Sequence, residues 1–419
     1  MTKKILLIIG ILVVIGVAVF LIFGSKPQTG GGESRVGFSI RDYFPFGGGS
    51  GDAGTNNSTT TNNTGNNSST NPNNFINQPI PRLRKISNEP VAGAVIWNVG
   101  STSVVRFVER GTGNVYEVKS DSLVSERLTN TTIPKIIRSF WLPDGSGFLA
   151  QTLLLESEII ETGFVKLNKN KASTTVEDLT PFYTTISKLP TNIKEITVKP
   201  DGAKIFYYTL NGSYSDWFVS NPDGTGSNPV MSHPLTGWLP KWIAGDTVMM
   251  QTKSSSKSTD YWYSFDVSKK ILKRAGRGEL GLSTNPKNDG SLTLASSGGF
   301  FTGLYVVNNN SASTTKISVG TWADKCVWLK AKSPSVYCAV PNQIQKGNYP
   351  DDWYKGLIST EDFIEKMDIS NDIFYYIADL ASLSGQKIDV TDMSLSPDET
   401  HLIFRNKIDG FLWLLRIGE

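Results

Sequence analysis

Residues 140–151 read Phe-Trp-Leu-Pro-Asp-Gly-Ser-Gly-Phe-Leu-Ala-Gln, an apolar run, a Pro-Asp-Gly turn and a second apolar run. Pro143 presets φ for the second position of a tight turn, Asp144 tolerates the third, and Gly145 accepts the left-handed exit. The stretch therefore predicts two antiparallel strands joined by a hairpin. Its turn recurs downstream. Pro200, Asp201 and Gly202 stand before the apolar run Ile-Phe-Tyr-Tyr at 205–208, and Pro397 with Asp398 before His-Leu-Ile-Phe at 401–404. Weaker copies stand at 242–251 and 287–295. A β-rich unit repeating every ~40–50 residues predicts a propeller. In that reading the turn residues are structural, and the aspartates Asp144, Asp201 and Asp398 are not catalytic.

Working outward, each hairpin is followed by a third strand and a short outer strand ending in a hydrophobe and a turn former. The outer motifs fall at 127–129, 178–180, 270–272, 316–318 and 387–389. One further copy, Arg84-Lys85-Ile86-Ser87, precedes the first inner strand and has no blade of its own, while the last unit, 392–417, holds three strands. If 83–87 supplies the missing fourth strand, the ring closes without a free edge. Counting outer strands gives an all-β, seven-bladed β-propeller. The strand near Val230 carries the weakest signal, so counts of six and eight stay open.

The Pro-Asp-Gly hairpins and the outer strands behind them resemble the TolB-like propeller family, also called WD40-like PD40 repeats. Asn221-Pro-Asp-Gly-Thr-Gly226 is similar to that family's hairpin between third and outer strands. The resemblance covers 79–419, and the whole chain resembles membrane-anchored propellers of bacterial envelopes. It implies a binding platform in the envelope.

The preceding residues fit that picture. Two lysines, Lys3 and Lys4, stand before an uncharged apolar run at 5–23. At 1.5 Å per residue the run spans roughly 28 Å, enough for a bilayer core. No A-x-A site follows it, which favours an uncleaved signal anchor over a cleaved signal peptide. The expectation is a cytoplasmic tail at 1–4, one span at 5–23 and an extracytoplasmic remainder on the bacterial cytoplasmic membrane. Residues 24–78 read as a linker, almost wholly Gly, Asn, Ser and Thr in its second half, with too few apolar groups to order itself. One aromatic island, 38–46, interrupts it; interfacial contact with lipid accounts for it better than a partner-docking peptide does.

Composition narrows function. Lys plus Arg number 41 against 38 Asp plus Glu, so no basic field points to nucleic acid. With two histidines and two cysteines, nothing calls for a metal centre or cofactor. There is no G-x-S-x-G elbow, no phosphate loop, no H-E-x-x-H and no alternating βα region for an appended hydrolase domain. The expectation is a monomeric propeller that is not an enzyme and binds an envelope protein or cell-wall component. The alternative is a polysaccharide-acting hydrolase or lyase using the propeller face. Three or more carboxylates at the channel mouth would favour the enzyme, and a flat, uncharged aromatic face would favour binding.

Two further features are specific. Cys326 and Cys338 flank a hairpin centred near 332, so they oppose one another on one face, and an exterior compartment would oxidise them. Residues 341–372 break the repeat as an insertion carrying Tyr349, Trp353 and Tyr354, followed by an expected helix at 360–367 with Phe363 on its apolar stripe. Loops on rigid scaffolds carry function, and aromatic anchors dominate interfaces. Tyr349, Trp353, Tyr354 and Phe363 are therefore the candidate partner contacts, set against the plainer reading that Trp353 packs on its own blade.

Overall fold

The computed structural model describes residues 79–154, 158–170, 180–298, 303–331 and 333–418. The expected tail, membrane span, linker and aromatic island lie outside the described residues, as does most of the outer-strand motif at 178–180. Among the described residues no helix is long and apolar enough to cross a membrane.

The described chain forms seven four-stranded antiparallel sheets. They are the blades of a β-propeller, starting at inner strands Val91–Val99, Ile136–Trp141, Glu195–Val198, Trp238–Trp242, Ser283–Pro286, Cys326–Trp328 and Val390–Leu395. A separate two-stranded ribbon pairs Thr259–Asp260 with Glu279–Leu280. Seven buried clusters each fill the space between one blade and the next. This packing explains the unbroken apolar runs of the second strands. In Ile205–Asn211, Ile205 and Tyr207 pack toward blade two, whereas Phe206 and Tyr208 pack toward blade four. Successive side chains point to opposite faces, and here both faces are core.

The ring closes as expected. Leu83–Lys85 pairs antiparallel with Leu412–Arg416, placing Leu83 opposite Leu415 and Lys85 opposite Trp413. The repeat turns also behave as read. Gly145 and Gly202 take φ +68° and +76°, and their amides donate to Leu142 and Lys199 at 3.0 and 2.8 Å. Asp144 and Asp201 each accept the amide two residues on, at 3.0 and 2.9 Å. Pro397 and Asp398 build the same turn in blade seven, with Glu399 at φ +60° where the others carry glycine.

Cys326 and Cys338 sit directly opposite and are joined by a disulfide.

Two expectations are corrected. Residues 360–367 do not form a helix: Asp362–Asp368 is the third strand of blade six, in register with Ser335–Pro341. The outer strand of that blade is Ile373–Asp379, followed by the short helix Leu380–Ser384, not the motif at 387–389. The excursion between second and third strands is therefore 342–361, with one helical turn, Asp351–Tyr354.

Candidate functional site

The inner strands line an axial channel and all start on one face of the ring. The Pro-Asp-Gly turns close the opposite face. The excursion at 342–361 joins a second strand to a third, so it lies on the face where the inner strands start, and it crosses that face as a strap. Asp351 accepts from Ser255 Oγ at 3.2 Å and from the Ser256 amide at 2.5 Å, tying the strap to blade four. The Tyr349 carbonyl passes so close to Gly281 and Gly298 that added Cβ atoms would stand 2.8 and 2.1 Å from it, so neither position has room for a side chain. Trp353 meets Trp322 edge-on at 4.8 Å and donates its indole N–H to Asp389 at 2.9 Å, reaching blade seven.

Beneath the strap is a buried charge network. Lys325 Nζ bonds Asp362 at 2.6 Å, Asp389 at 2.7 Å and Thr360 at 2.9 Å, all wholly buried or nearly so. Burial pushes the Asp362 pKa up, against Lys325. At Asp389 burial also pushes upward, but Lys325, Trp353 and Lys407 outweigh it and hold the carboxylate below its usual range. These charges pair with one another and fasten the strap, although the second Asp362 oxygen, Oδ1, is buried without a hydrogen-bond partner.

This placement changes the role of the expected contact residues. Tyr349 and Trp353 are 0% and 2% exposed and pack with Trp322, so neither presents a surface to a partner. Phe363 is half-buried on blade six, stacked on Tyr376 at 5.4 Å. Tyr354 alone of the four points to the channel, donating its hydroxyl to Asp324.

The channel mouth holds residues that the sequence reading passed over. Arg138 pairs with Glu195 at 2.7 Å, and Arg405 pairs with Asp392. Lys241 donates to Asn285 at 2.6 Å, and Asp324 accepts from Ser283 at 2.7 Å. Lys241 and Asp324 are both solvent-exposed, on the inner strand of blade four and just before that of blade six. Loss of hydration lowers the Lys241 pKa to about 8 and raises that of Asp324. A cavity of about 400 Å³ lies along the inner strands of blades two, three and four, lined by Arg138, Phe140, Glu195, Thr197, Leu239 and Pro240 among others. The mouth is neither a carboxylate cluster nor a flat aromatic face; it carries both signs of charge. Among the described residues no group of three or more His, Cys, Asp or Glu side chains is placed to hold a metal ion. His233 accepts from the Leu235 amide, and His401, opening the strand His401–Asn406 of blade seven, bonds Thr400 beside it and Ser103 of blade one.

No family model matches the chain, and no curated protein matches it in sequence. Solved structures do match. Oligogalacturonate lyase from Vibrio parahaemolyticus superposes with a TM-score of 0.52 at 11% identity, over 80% of this chain and 94% of that one. An oligogalacturonate lyase in complex with manganese gives 0.51 at 11% identity, over 76% and 87%. TolB from Acinetobacter baumannii gives 0.39 at 12% identity, over 77% and 78%. These likenesses are of fold. They nevertheless correct the expectation that the chain is not an enzyme. In the Vibrio lyase a ring of this kind accounts for nearly the whole chain. Catalysis on such a fold therefore needs no appended catalytic domain, and the missing motifs exclude only their own chemistries. The chain is thus similar in fold, and shown in nothing beyond fold, to propellers that include a lyase.

Proposed function

We propose that this chain is a propeller displayed outside the bacterial cytoplasmic membrane on a single-pass anchor at 5–23, and that it receives an envelope component at the mouth of its axial channel. The observation that carries the reading is the pair of charged side chains, Lys241 and Asp324, that face the channel with no ion-pair partner among the described residues: Lys241 holds Asn285, and Asp324 holds Ser283 and Tyr354. A buried charge in a packed core would be paired, whereas these groups retain capacity for a ligand. The Cys326–Cys338 disulfide supports an oxidising location outside the cytoplasm. The PD40-type turns support kinship with TolB-like envelope propellers.

The test is calorimetric titration of the full chain in detergent with cell-wall peptides and envelope oligosaccharides, beside Leu239→Trp, which fills the cavity. Binding that disappears in the variant supports the reading. Ligands that bind both proteins equally overturn it.

A second reading is a polysaccharide-acting enzyme using the same mouth. Lys241, partly unprotonated near neutral pH, beside Asp324, which keeps its proton to higher pH than usual, is a pairing suited to general acid–base work. Product release from a polysaccharide panel, lost in Lys241→Met, would select it.

A further inference from the structure

The charges around the channel mouth fall into two kinds. Arg138 with Glu195 and Arg405 with Asp392 are collapsed ion pairs. Lys241 and Asp324 are not. Among the described residues neither has an ion-pair partner; Lys241 holds Asn285, and Asp324 holds Ser283 and Tyr354. The separation is built into the sheet. Ser283 and Asn285 are buried, two residues apart on the inner strand of blade five, and so share a face with ~7 Å between them. Asn285 is itself fixed by its amide donating to the Cys326 carbonyl at 2.6 Å. An ammonium and a carboxylate are thereby held facing the same opening without touching. Lys241 has two N–H groups to spare, and the Asp324 carboxylate has free lone pairs.

Resting on the channel-mouth reading, we infer that Lys241 and Asp324 form a recognition site for a zwitterion of the α-amino-acid type, free or as the end group of a longer chain. The ligand carboxylate sits on Lys241 and its ammonium on Asp324. Charge-assisted hydrogen bonds of ~2.8 Å at each end, with the short span of the amino acid between them, match anchors held this far apart. A plain anion leaves Asp324 unanswered and a plain cation leaves Lys241 unanswered, so only the zwitterion meets both charges.

The experiment is calorimetric titration of the full chain with alanine, lactate and ethylamine, repeated on Lys241→Met and Asp324→Asn. Alanine is expected to bind, lactate and ethylamine at least ten-fold more weakly, and each variant to lose at least ten-fold for alanine with melting unchanged. Should Asp324→Asn not fold, Tyr354→Phe, which loosens the Asp324 carboxylate, and Lys241→Gln carry the same readout. Lactate binding as tightly as alanine, or no alanine binding by folded protein, overturns the inference. If envelope fragments still bind in a Leu239→Trp-sensitive way, it falls alone; if they do not, the channel reading falls with it.

Discussion

Trp353 illustrates how one residue changes meaning once its surroundings are known. As part of a Tyr-Pro-Asp-Asp-Trp-Tyr stretch it reads as an interface anchor. In the fold it is a buried peg whose N–H answers Asp389 and whose ring meets Trp322. Trp353→Ala is expected to lower stability by about 3–5 kcal/mol, as large core truncations do, read as a fall in melting temperature. Loss of ligand binding with melting unchanged would restore the interface role. Turn residues such as Pro143, Asp144 and Gly145 were legible because a turn is decided by four consecutive residues. Lys241 and Asp324 were not. They are far apart in the chain, and only the direction in which each strand faces the axis makes them neighbours.

Elements were legible where local pattern and tertiary demand agreed. The count of seven blades was legible, and so was the closing strand, because one end of the repeat lacked what the other had to spare. Residues 360–367 failed for the opposite reason. Phe363, Ile364 and Met367 have helical spacing, but blade six needs a third strand, and pairing with Ser335–Pro341 overrides local preference. A similar brace recurs at the ends of second strands. Gln151 and Gln251 donate to the carbonyls of Ile193 and Leu282, and Arg405 to that of Val91, each just before or at the next inner strand. Two predictions belong at this scale. Deleting 79–87 exposes the edge of Leu412–Arg416 and should abolish cooperative unfolding of the ring, seen as a broadened, lowered calorimetric transition. Cys326→Ala with Cys338→Ala should cost about 3 kcal/mol in chemical denaturation, the loop-entropy expectation for a 12-residue separation.

At the scale of the molecule, the channel couples ligand and proton. The Lys241 pKa is lowered to about 8, so its ammonium is present below that pH and lost above it. Affinity for a carboxylate ligand should therefore fall as pH rises through 8, with Lys241→Met removing that fall. The sign for folding is the reverse. Between about 8 and the ordinary lysine value of 10.5 the unfolded chain holds the proton that the folded one has lost, so the Lys241 contribution to stability improves as pH rises across that window.

The closing strand also makes this ring a mechanical device. Any pull along the chain leading into Pro79 arrives first at Leu83–Lys85, three paired residues backed by Arg82 on the Ile377 carbonyl and Arg84 on the Lys119 carbonyl. Those contacts bridge blade seven to blades six and one on either side. Tension is thus delivered to the seam of the ring, ahead of any blade's interior. Above a threshold force the propeller should come undone there first, opening the channel from its side.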